Sequence, residues 1–129
     1  MPDVLDFRGE ADRGSTSWRR ADPGRAFIQR RAWNEWAVFL PDGGDAHEVR
    51  LERDHGAYVG ECDCWGFRDR DRPESPCAHL CTLRQAEFGH YEDVNGNRVR
   101  ILDADEERAQ SVDRARADGG RRRRWSGCR

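Results

Sequence analysis

Cys62 and Cys64, followed by Cys77 and His79, are the residues of this chain whose types and spacing can do chemistry. They lie in the stretch CDCWGFRDRDRPESPCAH as C-x-C, twelve intervening residues, and C-x-H. Three thiols and one imidazole form the donor set that Zn2+ gathers into a tetrahedron. In an extended segment, residues two apart point to the same side, so Cys62 and Cys64 can face one ion. Cys77 and His79 reach it from the other side if a tight turn, or the first turn of a helix, begins there. Gly66, Pro73 and Pro76 suit a chain that doubles back between the two pairs.

Two plainer readings stand beside this one. Free cysteines are often small buried hydrophobes, and a disulfide is the other way to use a pair. Cys62 and Cys64 flank Asp63 in a charged stretch, which is a poor setting for core thiols. A disulfide between residues two apart is strained. The start of the chain, MPDVLDFRGE, lacks the basic-then-apolar layout of a secretory signal, so nothing places the chain in an oxidising compartment. Cys81, four residues after Cys77, shares its face on any helix starting there and is an alternative to Cys77 or His79 as a ligand. Packing beneath that helix is its expected role.

The order C-x-C…C-x-H resembles the SWIM zinc finger. The match runs from Cys62 to His79, and more loosely from about Val49 to Phe88. Trp65 and Phe67 after the first pair, Pro76 before the second and Leu80 after the histidine add to the likeness. Ala78 departs from it, because the family often carries a basic residue there. The resemblance implies a structural zinc held by Cys62, Cys64, Cys77 and His79. It also implies a role in DNA binding or protein–protein contacts, since family members occur in chromatin-remodelling helicases, transposase-like proteins and a recombination-repair accessory subunit.

Composition sets bounds on the rest. Of the 129 residues, 36% are hydrophobic and 37% charged, so the apolar core must be small and a metal staple would supplement it. No long apolar run is present, so neither a membrane span nor a membrane partner is expected, and a cytoplasmic location is. Every basic residue is Arg, and Asp (15) outnumbers Glu (10). That usage fits a GC-rich genome and a small free-standing prokaryotic or haloarchaeal member of the family. The net charge of −2 hides an asymmetry: residues 98–129 hold 10 Arg against 6 acids, while residues 61–97 hold 4 against 8.

The elements that must position the four ligands follow from periodicity. WAVFL, ending at Leu40, reads as a buried strand, and the residues from Pro41 to Asp45 as a turn. His47–Arg53 alternates, with Val49 and Leu51 on one face and Glu48, Arg50 and Glu52 on the other. Ala57-Tyr58-Val59 is a third strand that delivers Cys62 and Cys64. Cys77–Phe88 is a helix stopped by Gly89. Arg98–Leu102 alternates like an edge strand after the Asn95-Gly96 turn. The expected fold is therefore α+β: a small antiparallel sheet of about three strands plus one helix, stapled by structural zinc, with flexible or partly helical termini. The expected division is an irregular arm over 1–24, a zinc-binding domain over 25–102 with its metal core at 58–88, and an acidic-to-basic helix with an Arg-rich disordered tail over 103–129. One helical turn after the Ser15 cap is expected in the arm, with Trp18 docked on the domain.

Two basic stretches are candidate nucleic-acid contacts. In the tail, Arg121, Arg122, Arg123 and Arg124 can neutralise phosphates while Trp125 offers a stacking face; a solubilising terminus is the plainer reading. Between the ligand pairs, Arg68, Arg70 and Arg72 alternate with aspartates, and mixed charge suits a protein partner better than phosphate. Enzymatic signatures are missing: there is no H-x-E with C-x-x-C, no Walker loop, no G-x-S-x-G and no H-E-x-x-H. Four protein ligands also leave a metal no open position for water. The expectation is a non-enzyme with no small-molecule substrate. It binds DNA, or alternatively acts as an adaptor for a DNA-processing protein. His47, His55 and His90 look isolated and are expected at the surface or in turns.

Overall fold

Burial alternates along the strand His47–Asp54: Val49 and Leu51 point inward, Glu48 and Arg50 outward. This strand, β4, is the centre of the molecule. The structure, a computed structural model, describes residues 3–41, 45–70 and 72–106. In chain order its elements are β1 (Asp3–Val4), α1 (Phe7–Arg13), α2 (Thr16–Arg20), β2 (Phe27–Ala32), β3 (Glu35–Phe39), β4, β5 (Ala57–Cys62), α3 (Trp65–Arg68) and α4 (Ala78–Phe88). All pairings in the sheet are antiparallel, in the order β1-β5-β4-β3-β2. The α+β class is as expected. The strand count is not: four full strands stand where three were expected, and the two-residue β1 lies along the outer side of β5.

The extra strand comes from residues 25–34. Asn34 makes the tight link between β2 and β3, its carbonyl accepting from the Leu51 amide and its side chain donating to Glu52. That polar satisfaction allows an asparagine to sit almost fully buried. The register brings Trp36 opposite Val49 and Val49 opposite Cys62, so Ile28, Trp36, Val38, Val49 and Leu51 line one buried face. α4 lies in the same core, with Leu80, Cys81, Thr82, Leu83 and Ala86 all fully buried.

The first 24 residues are an integral part of the fold rather than an irregular arm. Asp6 caps α1 by accepting from the Gly9 amide at 2.9 Å, and Gly14 closes it in the left-handed conformation. Ser15 caps α2, as its sequence position predicts. Leu5 and Phe7 enter the core, and Phe7 meets Tyr58 edge-on at 5.3 Å. Gln85 donates to the Trp18 carbonyl, so α2 rests on α4 and Trp18 docks as expected. The carboxylate of Glu10, 3% exposed, is held by Ser15 and Arg13. α4 is thus covered by the sheet on one side and by the N-terminal segment on another, which explains why it is buried nearly all round.

Arg98–Leu102 does not form the expected edge strand. Val99 and Ile101 are buried, but the Ile101 amide donates to the Glu87 carboxylate, and only isolated bridges pair residues 98 and 103. The Asn95-Gly96 turn is present, organised by the Asp93 carboxylate accepting from the amides of Asn95 and Asn97. Of the helix expected over 103–117, its start at 104–106 is present; the remainder and the Arg-rich tail lie outside the described residues. Among the described residues no helix is long and apolar enough to cross a membrane.

Gly60 shows how closely β4 and β5 approach. A Cβ added there would lie 2.3 Å from the Arg50 carbonyl oxygen and 3.2 Å from a Leu51 methyl. Gly60→Ala is therefore expected to destabilise the fold by about 1–3 kcal/mol through overpacking. A denaturant melt superimposable on the parent's would contradict the β4–β5 register.

Candidate metal centre

Each ligand candidate sits where one element changes into another. Cys62 is the last residue of β5, and Cys64 is the N-cap of α3, so extended backbone joins the two. The next two residues turn into α3, and the Phe67 amide donates to the Cys64 sulfur at 3.3 Å. Phe67 itself is buried under the turn, while Trp65 is 71% exposed. Cys77 is the N-cap of α4, and His79 follows within its first turn. Pro76 is fully buried and fixes the entry of the chain into that helix. The sheet end and the helix start therefore face each other, as the sequence spacing requires.

The four side chains converge. All are buried, and one donor atom from each of Cys62, Cys64, Cys77 and His79 lies within 4.8 Å of the other three. None of these cysteines is in a disulfide. The Cys77 sulfur and His79 Nδ1 are 3.9 Å apart. Around a tetrahedral zinc with ordinary bond lengths, a sulfur and a nitrogen ligand stand about 3.6 Å apart. A buried Cys3His cluster of these dimensions can hold one metal ion. Cys81 is not in the cluster: it is fully buried in the core, one turn after Cys77, and burial pushes its thiol up.

The electrostatics favour a cation. Cys62 is pushed up because its proton is held between Cys64 and Cys77, with burial adding to the effect. Burial is the chief reason that Cys77 is pushed up, to about 12. Cys64 moves the other way, held low by the hydrogen bonds from Cys62 and Cys77, with His79 and the Phe67 amide helping. Without a metal, Cys64 is therefore the sulfur that gives up its proton most readily, while Cys62 and Cys77 hold theirs. A bound dication lets all three ionise, and the two protons leave.

His47 was not expected here. Its ring lies 4.6 Å from that of His79, and its Nδ1 is 2.8 Å from Asp63, the residue between Cys62 and Cys64. The β4–β5 register accounts for this: Val49 faces Cys62, so the next inward pair sets His47 opposite Cys64. His47 alternates with Val49 and Leu51 in the sequence, and that spacing is the signal that could have found it. His55 and His90 do occupy turns, both with positive φ. His55 touches Asp54 and Asp105 in an exposed group, and His90 meets Arg98.

The loop arginines separate into different roles. Arg70 folds back to donate to the carbonyls of Phe67 and Pro73, and its guanidinium covers the Phe67 ring at 3.7 Å. It braces the loop between the ligand pairs. Arg68 and Arg72 are exposed. Arg68 shares a shallow depression beside the cluster with Glu35, Glu48, Glu61 and Asp63. Arg121, Arg122, Arg123, Arg124 and Trp125 lie outside the described residues.

Compared with known proteins, the chain matches no family model, no curated protein and no solved structure.

Titrating the metal-free protein with Zn2+ at pH 7 in weak buffer is expected to release protons, because Cys62 and Cys77 hold theirs until a dication replaces them. Affinity then falls as pH drops, since protons compete for the same sulfurs. Release of no protons would show that the thiols are not ligands. Cys77→Ser should lose the metal together with much of the fold, whereas Cys81→Ser should keep one metal per chain by native mass spectrometry. Loss of metal in the second variant would make Cys81 a ligand.

Proposed function

We propose that the chain is a zinc-binding, non-catalytic module of the SWIM type that serves DNA transactions by binding a protein partner on its folded body. The closed Cys3His cluster carries this reading. Three thiols and one imidazole are the soft and borderline donors of a structural zinc site, and four protein ligands leave no position for an activated water. Zinc in this role fixes the junction of β5, α3 and α4. What it presents is Trp65, held out to solvent immediately after Cys64, on a loop of mixed charge. A rigid exposed aromatic ringed by charged groups is the usual anchor of a protein interface. Four uncrosslinked cysteines suit a reducing, cytoplasmic setting.

Charge separates the possible partners. Residues 1–106 hold 15 Arg against 22 acids, so the folded body repels phosphate. Residues 107–129 hold 8 Arg against 3 acids. That second observation favours a nucleic-acid contact by the C-terminal segment, through Arg121–Arg124 and Trp125, alongside the protein contact of the body.

Fluorescence anisotropy with single- and double-stranded DNA across a salt series tests the division. The zinc-loaded full chain is expected to bind weakly, losing affinity with a log–log salt slope of roughly −3 to −4 as four arginines displace counterions. A full-length variant with Arg121–Arg124 changed to Gln is expected to lose that binding. Zinc-dependent DNA binding that survives in the variant would overturn the assignment of the body to a protein partner.

A further inference from the structure

One apolar concavity among the described residues has no role in the reading above. It is a groove of about 740 Å³ between the N-terminal segment, the β4–β5 turn and the C-terminal half of α4. Its walls are aromatic: Phe7, Trp18, Tyr58, Phe88 and Tyr91. Phe88 is 77% exposed and Tyr91 41%, so the groove presents apolar surface to water. Aromatic grooves of this kind bury an aromatic or large aliphatic side chain of an incoming segment. Arg84, lying over the Tyr58 and Phe88 rings, is the cation of the floor, and Glu87 at 3.7 Å offsets its charge.

Acidic residues lie in the chain next to one end of the groove, outside its lining. Gly56 and Ala57, at the β4–β5 turn, form that end. The chain returns to this turn just before the described residues stop: the Arg53 amide donates to the Leu102 carbonyl, Asp103 bridges Arg53, and Asp105 reaches His55 at 3.2 Å. Asp54, Asp103, Asp105 and Glu106 therefore gather where the described residues end, with Arg53 and His55 as the nearby basic groups. The folded body and the segment that follows it carry opposite net charge, as counted above.

The sequence of that segment matches the groove. Four arginines, Arg121–Arg124, are followed at once by Trp125, the one aromatic residue after position 106. We propose that this groove is the docking site of the chain's own C-terminal segment, with Trp125 seated among Phe7, Tyr58, Phe88 and Tyr91 and the preceding arginines over Asp54, Asp103, Asp105 and Glu106. Reach does not limit it. Eighteen residues lie between Glu106 and Trp125, a stretch that spans up to about 60 Å when extended, and closing a loop of that length costs little more than closing one half as long. Docking covers the exposed Phe88 and Tyr91 and occupies the same arginines that would contact phosphate. Nucleic acid and the groove then compete for one segment, so the segment is held in check until its arginines find a stronger anion.

Cys128 allows a direct test in the full chain. With zinc bound to the cluster and Cys81 fully buried, Cys128 is the thiol chosen to carry a nitroxide spin label, its single attachment checked by mass spectrometry. In the zinc-loaded, 15N-labelled protein, the amides of Gly56, Ala57, Phe88 and Tyr91 are expected to lose most of their intensity, while those of β2 and β3 keep theirs. Trp125→Gln, a change outside the folded body, should restore the lost signals, as should excess single-stranded DNA at low salt. Broadening spread evenly over the surface, or centred elsewhere, would overturn the proposal. So would broadening that persists in Trp125→Gln. A mixture of spin-labelled unenriched protein with unlabelled 15N protein separates the copies: groove broadening there equal to that in the single chain would make a second copy the occupant and overturn docking in cis.

Discussion

Three thiol groups and an imidazole within 4.8 Å of one another, shut away from water, are the constraint on which this structure depends. Like charges cannot be gathered in a dry space without a counter-charge, and the Cys62 and Cys77 thiols are accordingly pushed up, Cys62 by its bonds to Cys64 and Cys77 together with burial, Cys77 chiefly by burial. A dication removes that conflict. An ion held there would also join the end of β5, the single turn of α3 and the start of α4. Between Asp63 and Pro76 the main apolar contribution is Phe67, and Arg70 holds the loop by its own carbonyls. The loop is organised around the ligands rather than around a core.

The remainder of the fold supports that junction from behind. β4 and β5 align so that Val49 meets Cys62 and, one repeat on, His47 comes against His79. α4 stays fixed because it is covered twice, by the sheet and by α2. The Gln85–Trp18 and Asp22–Thr82 hydrogen bonds tie the N-terminal segment across it. A chain with only 36% hydrophobic residues can still bury Trp36, Leu40, Leu51, Leu80, Leu83 and Ile101 completely, because its helices and sheet share one core. Besides His79 of the cluster, the buried polar side chains among the described residues are Glu10, Asn34, Thr82 and Asp93, each hydrogen-bonded, Thr82 by donating to the Ala78 carbonyl.

What could be read from the sequence was what local spacing encodes. Cys62 with Cys64 and Cys77 with His79 stood out because two-residue spacing at a strand end and at a helix start brings donors to one side. The helix Cys77–Phe88, its stop at Gly89 and the Asn95-Gly96 turn were legible for the same reason, while most of the turn expected from Pro41 to Asp45 lies outside the described residues. Features set by distant partners were not. The partnership of His47 with His79 depends on the β4–β5 register. α1 is short and charged and reads as part of an irregular arm; the buried Glu10 that bonds Ser15 and Arg13 and holds it in the fold is a tertiary event. β2 separates from β3 only because Asn34 is satisfied by Glu52 and Leu51. Arg98–Leu102 alternates like a strand, yet Glu87 takes the Ile101 amide and no strand forms beside it.

X-ray absorption at the zinc K-edge on the reconstituted full chain, with metal content measured on the same sample, tests the central claim most directly. We predict one zinc per chain with a first shell of three sulfurs near ~2.3 Å and one nitrogen near ~2.0 Å. Stoichiometric zinc with a shell dominated by oxygen and nitrogen, or failure to retain zinc after reconstitution, would contradict it. In either case, the junction of β5, α3 and α4 would have to be held by something other than the ion.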